Sequence, residues 1–129
     1  MIIICDTDFL ISSLIIHETT HHQAVKIGSL VANADMLFLD LVHFEIATVI
    51  SRKYGYREAR VILSKLEEIN LSRISFRDHE SAIWDEFRSH SKKNISFVDC
   101  ANLVVAQKLK AKIASFDTFY PNTIRLLAK

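Results

Sequence analysis

The sequence predicts an α/β fold in which a central parallel sheet of four to five strands is flanked by helices. Three observations lead there. The runs "MIIIC", "MLFL" and "KIASF" are continuously apolar, as strands covered on both faces are. Between them lie longer stretches with apolar residues at helical spacing, and strand–helix alternation builds a parallel sheet. A chain of 129 residues, half of them apolar, suits one domain spanning residues 1–129 with a sizeable core.

The elements follow in order. "MIIIC" is the first strand and ends at Asp6; Asp8 is the expected N-cap of a short apolar helix, "FLISSLII". A second helix, from about His21 to Ala34, puts Ala24, Ile27, Leu30 and Val31 on one side. "MLFL" is the second strand. Asp40 caps a third helix, Leu41 to Tyr54, which Gly55 ends as a left-handed C-cap. Arg57 to Asn70 forms a helical hairpin with it. "LSRISF" is a third strand, followed by a helix from about His79 to Ser89 whose Ile83, Trp84 and Phe87 read as a core-facing stripe. "SFVDCANLVVAQKLK" is the most apolar helix, "KIASF" a fourth strand ending at Asp117, and "TIRLLA" a short fifth.

Composition removes several classes. Two Gly and one Pro leave no room for a Gly-rich phosphate cradle or long linkers, and no repeat or low-complexity segment is present. A net charge of +1 gives no global basic field, so any basic surface is local, as at Arg52, Lys53, Arg57 and Arg60, or Lys108, Lys110 and Lys112. "MIIIC" is too short for a signal h-region, and no stretch has the apolar length of a membrane span. Cys5 and Cys100 sit in apolar runs, where cysteine acts as a small hydrophobe. A reducing cytoplasm is the expected location.

Topology then gathers four acids. Right-handed crossovers put all strand C-termini on one edge, and open α/β sheets bind ligands there. Asp6 and Asp117 follow strands at that edge. Asp99 starts the apolar helix, and Glu45 lies in the first turns of the helix after the second strand. Clustered carboxylates repel, and a divalent cation resolves the repulsion. Hard oxygen donors without a Cys or His set favour Mg²⁺ or Mn²⁺. Such an ion suits phosphodiester hydrolysis, polarising the phosphoryl oxygen and activating a water for in-line attack. Each acid also has a local reading: Ser96-x-x-Asp99 is a capping box, Asp6 and Asp117 suit turns, and Glu45 could pair with Arg52. Asn102, one turn after Asp99, is placed to touch substrate, with a helix–helix hydrogen bond as the competing role.

With these residues in place, the chain resembles the PIN-domain ribonucleases, and most closely the VapC-like toxins of type II toxin–antitoxin pairs. The likeness is carried by "IIICDTDFLIS" with Asp6, "LVHFEIATVI" with Glu45, "ISFVDCANLVVAQ" with Asp99 and "IASFDTFY" with Asp117, and it covers essentially the whole chain. It implies a PIN-like three-layer fold and a Mg²⁺- or Mn²⁺-dependent endoribonuclease. Asp6, Asp99 and Asp117 would hold the metal, and Glu45 would complete the acidic site through water. It further implies RNA as substrate, a cognate antitoxin as partner and a homodimer. Two positions depart from the family pattern. Asp8 stands where Ser or Asn is common, and Ser115, a further candidate for substrate contact, stands where Thr is common.

Two other readings compete. "HETTH", His17 to His21, matches the HExxH zinc pattern. Two β-branched threonines fill its middle, the segment joins two helices, and no downstream cluster offers an obvious third ligand, which leaves His43, His79 and His90 as the isolated candidates. "IIICDTD" is similar to the strand-end DxD of haloacid dehalogenase-like phosphotransferases, with Asp6 as nucleophile, but Leu10 and the lack of a lysine block break that pattern. A non-catalytic PIN-like binding module is the remaining alternative.

Overall fold

At the centre of the sheet lies β1 (Ile2–Cys5), paired in parallel with β2 (Asp35–Leu39) on one side and β4 (Lys112–Ala114) on the other. The edges are β3 (Ser72–Ile74) beside β2 and β5 (Arg125–Leu126) beside β4, giving five parallel strands in the order β3-β2-β1-β4-β5. The structure, a computed structural model, describes residues 1–126. Ile4 stands opposite both Leu37 and Ile113, and Ile3, Ile4 and Cys5 are completely buried. A strand closed in on both faces and both edges tolerates only apolar side chains, which is why "MIIIC" shows no alternation.

The crossovers supply the two outer layers. α1 (Thr7–Leu14) and α2 (His21–Leu30) link β1 to β2, and α3 (Asp40–Tyr54) and α4 (Tyr56–Glu68) link β2 to β3. α1 packs on α2 and α3, and α3 on α4. Both connections step outward in the same direction, so right-handedness puts these helices on one face. From β3 the chain returns across the sheet to β4 through α5 (Glu80–Arg88) and α6 (Phe97–Leu109), which pack on each other over the other face. Cys100 through Ala106 of α6 are all buried, as its apolar sequence requires. No helix among the described residues is long and apolar enough to cross a membrane.

The alternation, the strand directions and the three layers match the expectation; several boundaries do not. Asp6, not Asp8, caps α1, its side chain accepting the Thr7 N–H. α2 stops at Leu30, whose side chain is 67 % exposed rather than packed with Ala24 and Ile27. Gly55 does take a positive φ of 97°, but with ψ 167°, an extended kink joining α3 directly to α4 rather than a left-handed cap. β4 ends at Ala114, so Asp117 lies in the following loop instead of directly at the strand end. A 3₁₀ turn, Arg77–His79, precedes α5. Of the expected apolar stripe on α5, Ile83 is buried while Trp84 and Phe87 stay part-exposed, Trp84 packing on Phe97 at 4.4 Å. The end of "TIRLLA" lies outside the described residues. Both cysteines are free and buried, and burial pushes their thiols up to about 12 for Cys5 and about 11 for Cys100, so neither is a nucleophile.

Candidate active site

The site grows from the residue after the central strand. Asp6 is 5 % exposed and engages both oxygens: Oδ1 accepts from the Thr7 N–H (2.8 Å) and from Asn102 Nδ2 (3.0 Å), and Oδ2 accepts from the Ser115 hydroxyl (2.8 Å). Asn102 spends its second N–H on the Tyr120 hydroxyl at 3.2 Å. Ser115 Oγ in turn accepts the Asp117 N–H at 3.0 Å, which ties the loop after β4 to the carboxylate after β1. Asp8, in the first turn of α1, leans to the same loop, where its Oδ2 accepts from the Phe116 N–H at 3.1 Å and its Oδ1 stands 3.2 Å from the Ser115 hydroxyl. Burial chiefly, then the charge of Asp8, pushes Asp6 up to about 7 against the pull of its hydrogen bonds. Burial likewise raises Asp8 to about 6.

A cavity of about 420 Å³ opens above this network, and Asp6, Asp8, Glu45, Asp99 and Asp117 all line it. The four acids expected at the sheet edge therefore share one hollow, with Asp8 and Glu18 as two more. Asp99 fulfils its local role as well. Ser96 Oγ accepts its N–H at 3.0 Å and Asp99 Oδ2 accepts the Ser96 N–H at 3.1 Å, a complete capping box. Burial raises Asp99, and the charge of Asp117 adds to it; burial also raises Glu45, with Asp99 adding. Like charges confined in a half-enclosed space carry this signature. Lys53 is the one cation among the described residues lining the cavity.

The donors are all oxygen, which suits a hard cation. No three His, Cys, Asp or Glu side chains among the described residues are grouped closely enough to hold an ion between them directly. Mg²⁺ keeps several waters and takes only one or two carboxylates, so an open ring of acids still fits it through water.

A sequence profile of the PIN domain matches residues 3–123. The chain belongs to the PIN-domain family. No curated protein matches it. Among solved structures, VapC20 of Mycobacterium tuberculosis, described as a sarcin-ricin loop cleaving toxin, superposes with a TM-score of 0.76 at 20 % identity over 89 % of each chain. VapBC2 of Rickettsia felis, solved with a DNA fragment from its promoter, gives 0.70 at 16 % identity over 98 % of each. VapBC-1 of nontypeable Haemophilus influenzae gives 0.56 at 15 % identity, over 92 % of this chain and 89 % of its own. At these identities the likeness is one of fold.

In this PIN domain the two residues expected near substrate lie beneath the acids, and Asn102 takes the hydrogen-bonding role that competed with substrate contact. Asn102 and Ser115 are 0 % and 1 % exposed and hydrogen-bond the Asp6 carboxylate from beneath. Their partners lie 96 and 109 residues away, and no local pattern announces such pairs. Sequence reasoning also missed the wall formed by Glu18 and Lys53. Glu18 Oε1 accepts from Lys53 Nζ at 2.9 Å and from the Tyr54 hydroxyl at 2.6 Å, and these partners hold its carboxyl below the usual range. That engagement disposes of the zinc reading of "HETTH". Its glutamate is paired elsewhere, the segment between α1 and α2 is a turn, and His21 Nδ1 is bonded to the Ser12 carbonyl at 2.7 Å. The side chains of His17 and His21 therefore do not lie one helical turn apart.

Proposed function

We propose that this PIN domain is a metal-dependent endoribonuclease acting as the toxin of a toxin–antitoxin pair in the cytoplasm. The observation that carries the reading is the convergence of six carboxylates on one cavity at the C-terminal edge of the sheet. Glu18 is paired with Lys53, the other five have no ion-pair partner among the described residues, and four of those five have raised proton affinity. Structural carboxylates are paired with cations or left in water; these face one another, as ligands awaiting a doubly charged ion do.

Asp6, Asp99 and Asp117 would hold Mg²⁺ or Mn²⁺, in part through water, and Glu45 would complete the set through water. Bound there, the ion supplies polarisation of a phosphoryl oxygen and acidification of a water. The remaining work falls to the chain. Thr7, Asn102 and Ser115 fix the Asp6 carboxylate so that it need not reorganise, and the N-termini of α1 and α6 place positive dipole ends under Asp6 and Asp99. Lys53, 55 % exposed at the cavity wall, offers a cation to the incoming phosphate. The family membership and the VapC folds support RNA as substrate, and the VapBC structures support a cognate antitoxin; a homodimer is part of the same reading. The phosphotransferase alternative would use Asp6 as nucleophile, but Leu10 and the lack of a lysine block break that family's pattern.

Purified protein incubated with single-stranded RNA and Mg²⁺ or Mn²⁺ provides the test. Cleavage that disappears in both Asp6→Asn and Asp99→Asn supports the reading, and cleavage that survives either substitution refutes it. Specific RNA binding without turnover under every metal favours the binding module.

A further inference from the structure

A second cavity, of about 490 Å³, adjoins the acidic one, and Asp117 lines both. Its character is different. The loop between α5 and α6 contributes Lys92 and Lys93, and no described carboxylate forms an ion pair with either. Asn94 holds that loop in a left-handed conformation, φ 69°, which asparagine accepts more readily than most residues. The opposite wall is aromatic. His90 and Phe119 meet edge to face at 5.4 Å, with His90 fixed by Glu86 at 2.7 Å. Phe119 is in turn fixed to the acidic site, because its N–H donates to Asp117 Oδ1 at 2.9 Å.

We propose that this second cavity seats the nucleotide next to the cleaved bond: Lys92 and Lys93 take its phosphate and the Phe119–His90 wall takes its base. Unpaired lysines next to aromatic faces are the combination that holds single-stranded nucleic acid, cations tracking the backbone and rings stacking on bases. An acidic pocket alone repels a polyanion. A cationic seat sharing a wall with it supplies the attraction without adding positive charge at the acids themselves. The Asp117–Phe119 bond sets the base wall and the acid in one geometry. This inference rests on the ribonuclease reading and adds a strand path to it.

The test measures binding apart from turnover. RNA affinity is read by fluorescence anisotropy with a labelled twelve-nucleotide single strand, in an Asp99→Asn background with Mg²⁺, as a function of salt. Adding Lys92→Ala and Lys93→Ala is expected to weaken binding about tenfold and to lower the log–log salt slope by about 0.7, the value for one lost phosphate contact on a single strand. Phe119→Leu is expected to weaken binding while leaving the salt slope unchanged. In the active protein the lysine pair raises KM far more than it changes kcat. A control carrying Lys26→Ala and Lys108→Ala removes the same charge elsewhere. Equal losses in control and test, an unchanged slope, or a loss confined to an acidic polypeptide probe such as polyaspartate each overturn the seat. Failure of the ribonuclease reading is seen separately, as cleavage that persists in Asp6→Asn.

Discussion

Asp6 carries the tension of this molecule. It accepts three hydrogen bonds, yet burial and neighbouring charge keep its proton affinity high, so the ionised form costs stability unless a cation is present. Asp6→Asn keeps the shape: an amide oxygen still accepts from Thr7 and Asn102, and an amide N–H can donate to Ser115 Oγ. The substitution is expected to abolish RNA cleavage while raising the melting temperature at pH 8 in chelator. Calorimetry showing a lower melting temperature there would contradict it. Ser115→Ala acts the other way, stripping a partner from Asp6 Oδ2 and from the Asp117 N–H. A loss of about 1–3 kcal/mol by chemical denaturation, with weaker cleavage per folded molecule, is expected from unmet polar groups at a buried site. Asp6 and Asp99 were legible because they stand at a strand end and a helix start, and Glu45 and Asp117 because they follow a strand at the same edge, in the second turn of α3 and in the loop after β4. Asn102 and Ser115 were legible as polar residues in apolar runs, but their direction was not, since burial beneath Asp6 depends on pairings of very long range.

Among the elements, the helix starts do two jobs. Capping and metal binding seemed rival roles for Asp99, and the structure assigns one oxygen to the Ser96 N–H while the side chain still borders the cavity. Ser96→Ala should cost about 1 kcal/mol by denaturation and loosen Asp99 with the first turn of α6. At the hairpin between α3 and α4, Gly55 occupies a region of φ and ψ that is essentially reserved for glycine. Gly55→Ala is expected to cost about 1–3 kcal/mol even though an added methyl meets nothing within 4 Å, and cleavage per folded molecule should be preserved. An unchanged denaturation midpoint would show that the backbone relaxes. Apolar patterning, continuous in the strands and periodic in the helices, found the α-helices and strands of the described residues because each crossover buries one face. It misjudged Leu30, where α2 ends before a further turn could cover the side chain, and Trp84, which packs against Phe97 at the rim instead of in the core.

For the whole molecule, the four raised carboxylates act in the same direction. Each folded-state pKa lies above its unfolded value, so the folded protein binds protons more tightly. Their stabilising contribution is complete below about pH 4 and lost as pH rises through the folded values, about 6 and 7 for Asp8 and Asp6. Metal-free protein should therefore melt at falling temperature between pH 5 and pH 8, and Mn²⁺ should flatten the fall; a rising profile in chelator would refute the clustering of charge. The overall architecture was readable because crossover handedness leaves few ways to arrange five parallel strands, whereas the second cavity, built from loops, left no periodic trace. The strand order has one more consequence. β1 delivers Asp6, but its neighbour β4 and the loop bearing Ser115 belong to chain 109 residues further on. Any fragment cut between them carries Asp6 without the residues that hold its carboxylate. Splitting the chain there is therefore expected to leave the acidic hollow unassembled until the two pieces dock.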